Sequence, residues 1–160
     1  MSRVLFVCTG NIFRSMTAEY ALRRQAPEIM VASAGTDDYP HVVRPYVRDY
    51  LLAKGLDVSA HRRRTLTRQL LQDARTVIAM STDHQRFIAE RYGVKVPVFL
   101  EACGGACEAL PDIEEVVADY RTNTAAVEAH VRKTIDTIIA AMPRLAAALL
   151  LEAQDRRSSR

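Results

Sequence analysis

The residues with the most chemistry in them stand together at Cys8-Thr9-Gly10-Asn11-Ile12-Phe13-Arg14-Ser15. A cysteine is followed six positions later by an arginine, with a glycine between them and a serine after. A turn of this length containing Gly10 can aim successive backbone N–H groups inward as a concave anion nest. A helix starting at about Ser15 adds its orphan N–H groups and the positive end of its dipole. Such a cup selects a dianion like phosphate. Arg14 brings a planar fork of donors that stays charged at working pH and can hold two equatorial oxygens while a phosphoryl group moves. A free thiol ionises at about pH 8.5, and helix N-termini and nearby cations lower that to roughly 3.5–7.5. Cys8, at the base of the cup, is therefore placed to attack as a thiolate. Ser15 can donate a hydrogen bond to the sulfur and stabilise it as the leaving group of a second step. By itself C-x5-R is a weak pattern, since a single cysteine at a strand end is commonly a small buried apolar group. Its strand-turn-helix setting, with glycine and serine in place, is what makes it functional.

That setting is legible on both sides of the motif. Arg3 to Cys8 is a short β-branched and apolar run, and Met16 to Arg24 is a helix-forming stretch, so a strand feeds a helix through the turn. Glu28 to Ser33 reads as a second strand ending at Ala34-Gly35, and Arg44 to Lys54 as a helix closed by Gly55. Thr65 to Gln72 suggests a short helix, Thr76 to Met80 a third strand, Asp83 to Arg91 a helix stopped by Gly93, and Val96 to Leu100 a fourth strand. Gly104-Gly105 and Pro111 mark a loop. A last helix shows an apolar face at Val127, Val131, Ile135, Ile138, Met142 and Leu145, with Pro143 expected to kink or end it. Alternating strands and helices predict a parallel sheet covered on both faces, with the ligand crevice at the carboxyl ends of the strands.

Composition sets the outer limits. With 160 residues, 49% of them apolar, the chain is expected to form one domain over 1–153, followed by a frayed basic tail over 154–160. The sequence contains no run of about 18 apolar residues and no secretory signal pattern at its start, so a cytoplasmic protein without membrane contact is expected. Three cysteines are too few for a disulfide scaffold and fit reduced thiols. The balance of 22 basic and 19 acidic residues, net +3, does not call for nucleic acid. Arg62-Arg63-Arg64 reads as a solvated loop. Neither G-x-x-x-x-G-K-[ST] nor G-x-G-x-x-G is present, which excludes the common nucleotide cradles.

With these residues in view, the chain resembles the low-molecular-weight protein tyrosine phosphatase family. Val7 to Ser15 matches its signature V-C-x-G-N-[IT]-C-R-S except at Phe13. Ala32 to Thr36 is similar to the family's ASAGT segment, Ser59 to Arg64 to its S-x-H-x-[SA]-R stretch, and Ala79-Met80 stands at its third-strand end; the similarity runs from Arg3 to about Leu145. The resemblance implies a three-layer α/β fold of flavodoxin-like type with a four-stranded parallel sheet. It implies Cys8 as nucleophile, Arg14 as phosphate clamp, Thr9 to Ser15 as the phosphate-binding loop, and a cysteinyl-phosphate intermediate cleared by water. Asn11 and Ser33 would brace the loop's backbone. No metal or organic cofactor is implied. The expected partner is a phosphorylated protein, an autophosphorylating tyrosine kinase being one instance, and the expected state a monomer or weak dimer. Phe13 stands where many members carry a second cysteine able to protect the nucleophile as a disulfide, so that protection should be missing.

Cleavage of a phosphate ester also needs a proton for the leaving oxygen. The family uses an aspartate in a D-P-[YF] loop, and this chain has no Asp-Pro. Counting back from the last helix favours Asp119, followed by Tyr120; counting forward from Glu101-Ala102 favours Asp112. Asp119 is the expected acid and Asp112 the alternative. Among the remaining candidates, Cys103 and Cys107 read as a reduced loop pair, because nothing nearby completes a zinc set. His61 and His84 lie near strand ends and can line the mouth, His41 and His130 read as surface residues, and Tyr39 as a cleft wall or a packed loop residue.

Three other functions compete with the phosphotyrosine reading. An arsenate reductase of the same fold would pass oxidation from Cys8 to two further cysteines, but Met80-Ser81 occupies the place of the relay cysteine. A phosphoarginine phosphatase is the second, and relatives in that role tend to carry Thr where this chain has Ile12. The third is a phosphate-binding regulator that has lost its acid.

Overall fold

The computed structural model describes residues 3–158. β1 (Arg3–Cys8) is central, flanked in parallel by β2 (Met30–Gly35) and β3 (Thr76–Ala79) in the order β2-β1-β3. Cys8 pairs with Gly35 and Val7 with both Ala34 and Ala79, so the carboxyl ends of the strands finish level. β1 is apolar throughout because it is covered on both faces. Val4, Phe6 and Cys8 join one core with Met16 and Leu22 of α1 (Arg14–Gln25), while Leu5 and Val7 join a second with Leu71 and Ile88. Those last two side chains belong to α3 (Arg68–Asp73) and α4 (Thr82–Tyr92), and α2 (Pro45–Ala53) adds Val47 and Leu51 to the first core. The result is the three-layer α/β arrangement expected, of flavodoxin-like class.

The expected fourth strand is a correction. Val96 to Leu100 makes one parallel bridge, Ala79 to Val98, and the chain then turns into α5 (Phe99–Ala102). The physical reason lies in two residues: Pro97 has no N–H to give a ladder, although its carbonyl accepts from Ala79 N at 3.0 Å. The Val98 N–H is taken by the Glu101 carboxylate at 3.3 Å, which starts the helix instead.

After α6 (Ile113–Val116), α7 runs from Thr124 to Ser158. Val127, Val131, Ile135, Ile138, Met142 and Leu145 are all buried, and the helix packs on α1 and α2. Pro143 does not end it: proline removes one intrahelical hydrogen bond, and the buried Ala141, Met142, Leu145 and Ala146 around it hold both sides in the core. Gln154 to Ser158, expected as tail, are helical, while Ser159 and Arg160 lie outside the described residues. By length and mean hydropathy Thr124–Asp155 would suffice to cross a bilayer. Here its apolar stripe is spent on the core.

Candidate active site

The chain leaves β1 at Cys8, loops through Thr9 to Phe13 and enters α1 at Arg14. Two backbone bonds tie the start of the loop to the end of β2: Thr36 N to Cys8 O at 2.9 Å and Asp37 N to Thr9 O at 3.1 Å. The approach is so close that a Cβ on Gly35 would sit 2.4 Å from the Thr9 carbonyl, which only glycine avoids. Asn11 holds the turn in the left-handed region, φ 56°, a conformation asparagine tolerates better than most residues. Phe13, which precedes α1, offers no side-chain cap. The first N–H groups of α1 are therefore left without a side-chain cap from Phe13.

A polar chain runs behind the sulfur, and its proton directions can be worked out. Asn11 Oδ1 accepts from Arg64 N at 3.0 Å, so the amide nitrogen is the end that points inward. Asn11 Nδ2 donates to Ser15 Oγ at 3.0 Å and to Ser33 Oγ at 2.7 Å. Ser33 passes its own proton to the Glu19 carboxylate, which also pairs with Arg23. With an amide proton already on its oxygen, Ser15 is left to donate to Cys8 Sγ, 2.9 Å away. Asn11, Ser15, Ser33 and Glu19 are all buried, a setting in which a satisfied network is rigid.

The arginine run is only partly solvent-facing. Arg63 donates to the Gly10 carbonyl at 3.1 Å and the Asp37 carbonyl at 2.6 Å, bracing the loop, while Arg62 is exposed. His61 donates from Nε2 to the Asn11 carbonyl at 2.8 Å, and burial lowers its pKa. His84 stands behind Thr9, its Nε2 2.8 Å from the hydroxyl; burial, with Arg14 close by, pushes it down to about 3. Among the described residues no acceptor takes the N–H of Gly10, Asn11, Ile12 or Phe13.

In front of the loop opens a cavity of about 330 Å³, with Cys8 to Gly10 and Ile12 to Arg14 at its base. Val47, Ile113, Tyr120 and Val127 give it apolar walls, and Asp37, His41, Arg44, Asp112 and Glu114 a polar rim. Arg14 is 2% exposed and donates to Asp112 Oδ2 at 2.6 Å and to the Leu110 carbonyl at 2.8 Å. Asp112 is the N-cap of α6, its other oxygen accepting from Ile113 N at 2.8 Å. Asp119, the expected acid, is not brought to this cavity. It is exposed, and its carboxylate accepts from Asn123 Nδ2 at 3.1 and 3.3 Å at the start of α7. Tyr120 reaches the wall without it, because consecutive residues of a turn point in different directions.

The histidines divide differently from expectation. His41 lines the cavity, bonded to Asp37 at 2.9 Å, and that bond holds the Asp37 carboxyl below the usual range. His61 and His84 sit behind the loop. His130 donates to the Pro111 carbonyl at 3.1 Å, fastening the segment that carries Asp112 to α7. Tyr39 is exposed and packs against His41 with ring centroids 4.9 Å apart. Cys103 is buried, which raises its thiol to about 11, and Cys107 is exposed; both are free.

Comparison with known proteins agrees with this arrangement. The family model for low molecular weight phosphotyrosine protein phosphatase matches residues 3–155. A probable low molecular weight protein-tyrosine-phosphatase, EpsP, of Ralstonia nicotianae is 30% identical, over 90% of this chain and 96% of its own. The YwlE arginine phosphatase of Geobacillus stearothermophilus superposes with a TM-score of 0.80 at 27% identity, covering 97% of both chains. A cysteine-to-serine mutant of a YwlE arginine phosphatase with a phosphorylated active-site serine superposes at 0.79, 26% identical, over 97% and 98%. With the signature loop at the end of β1 and a match along nearly its whole length, the chain belongs to the low molecular weight phosphotyrosine protein phosphatase family and is a cysteine-dependent phosphatase.

Proposed function

We propose that the protein hydrolyses phosphotyrosine in proteins through a cysteinyl-phosphate on Cys8. The carrying observation is the cavity itself: a base of Cys8, loop and Arg14 beneath apolar walls that include Tyr120 and Val127, about 330 Å³ in which a flat ring can lie against a bound phosphate. Cys8 Sγ attacks phosphorus in line as the bond to the leaving oxygen breaks and that oxygen takes a proton from Asp112. Water then displaces the sulfur, returning a proton to Asp112 and leaving inorganic phosphate and a thiolate that Ser15 hydrogen-bonds. Asp112 is chosen over Asp119 because it shares the cavity with Cys8 and already touches Arg14. An arriving phosphoryl group competes for that guanidinium and so releases Asp112 toward the ester oxygen.

Phosphoarginine hydrolysis is the second reading, favoured by the likeness to the YwlE structures. Ile12 argues against it, since an apolar side chain lining the cavity offers nothing to a guanidinium. The test is turnover of matched phosphotyrosine and phosphoarginine peptides by wild type, Cys8→Ser and Ile12→Thr. Tyrosine turnover should dominate in wild type, vanish in Cys8→Ser, and lose ground to arginine turnover in Ile12→Thr. Faster arginine turnover in wild type would reverse the assignment. A protein partner, such as a tyrosine kinase that phosphorylates itself, fits a site open at the surface, and a cytoplasmic location fits the three free thiols.

A further inference from the structure

Thr9, on the turn from β1 to α1, and His84, in the first turn of α4, are 75 positions apart, and their side chains meet at 2.8 Å. The tautomer of His84 follows from its other nitrogen. Nδ1 lies 3.1 Å from Ser81 N and 3.0 Å from Ser81 Oγ, and a backbone N–H can only donate, so Nδ1 is an acceptor. A neutral ring then carries its proton on Nε2 and gives it to Thr9 Oγ1. His84 is 3% exposed, and its low pKa keeps the ring neutral at working pH. The Thr9 oxygen is thus held from behind, and its own hydrogen must turn elsewhere. Thr9 lines the Cys8 cavity.

We propose that His84 is a positioning residue that sets the Thr9 hydroxyl as a donor to a phosphoryl oxygen bound in the loop. The arrangement gives the cradle a side-chain donor without a second positive charge beside Arg14. It rests on the reading of Thr9 to Ser15 as a phosphate loop, and it assigns a role in that loop to a residue of α4.

The experiment measures kcat and KM for p-nitrophenyl phosphate and competitive inhibition by inorganic phosphate. The proteins are wild type, Thr9→Val, Thr9→Ser, His84→Phe, His84→Gln and the Thr9→Val/His84→Phe double variant. A lost donor to a charged oxygen should weaken phosphate inhibition about tenfold in Thr9→Val and in His84→Phe. The double variant should be no weaker than Thr9→Val alone, because one residue acts through the other. His84→Gln, whose amide can still donate to Thr9, and Thr9→Ser should recover most of the inhibition. Multiplying losses in the double variant, or full phosphate inhibition in His84→Phe, overturns the proposal. Should His84→Phe fail to fold, unchanged inhibition in Thr9→Val overturns it alone. Failure of wild type itself to bind phosphate would instead strike the loop reading.

Discussion

Arg14 Nη2 and Asp112 Oδ2 lie 2.6 Å apart. The arginine buried at the base of the cavity is therefore joined to the carboxylate at its rim, and the same guanidinium bridges the 96-residue separation from Arg14 to Leu110. This pairing keeps a buried charge partnered.

The pairing predicts how the two aspartates differ. Asp112→Asn should cut kcat about a hundredfold on a phenyl phosphate with a poor leaving group, while phosphorylation of Cys8 persists. Asp119→Asn should stay within about twofold of wild type, since only the Asn123 contact is lost. Steady-state kinetics on both variants decides the matter, and equal mild losses would remove Asp112 from the mechanism.

Ser33 predicts a link between stability and rate. Ser33→Ala removes the oxygen between Asn11 and Glu19 and leaves both with an unfilled bond in the core. The cost should be about 1–3 kcal/mol of unfolding free energy, with a fall in kcat because Asn11 no longer fixes the Ser15 proton on Cys8. Urea denaturation together with turnover would expose the idea as wrong if stability dropped and kcat did not.

Gly35→Ala tests the close approach. A methyl group 2.4 Å from the Thr9 carbonyl must push backbone against backbone, next to the Thr36 N to Cys8 O bond that ties the loop to β2. The variant should lose phosphate inhibition severalfold and melt earlier than wild type. A melting temperature and inhibition constant matching wild type would show that the loop has more room than this packing allows.

His84 predicts part of the acid sensitivity. Its folded pKa of about 3 lies below the unfolded value of about 6.5. Between those limits the unfolded chain takes up a proton that the folded protein refuses, so stability falls as pH falls. At pH 5 the loss should be about 2 kcal/mol relative to neutral pH. Arg14 of α1 adds to the depression and Asp112 at the start of α6 opposes it. His84→Gln should flatten the decline between pH 7.5 and 5 in urea titrations; an unchanged decline would mean that other groups carry it.

The strand, the turn and the helix around Cys8 were legible because each is a local matter: an apolar run, a glycine and a helix-forming stretch within about twenty residues. The expected fourth strand fails for an equally local reason. Val96 to Leu100 has strand composition, yet Pro97 and the Glu101 carboxylate remove two donors from its ladder.

The nucleophile's neighbourhood, the α/β alternation and the buried stripe of α7 follow from residue type and spacing along a few turns of chain. Long-range packing is what puts Asp112 and not Asp119 on the cavity, His41 at its rim and His84 behind the loop, and turns Arg63 inward to Gly10. Those outcomes depend on how distant turns meet at the carboxyl edge of the sheet. No pattern within either turn specifies that meeting, because it is set by the packing of whole helices on both faces.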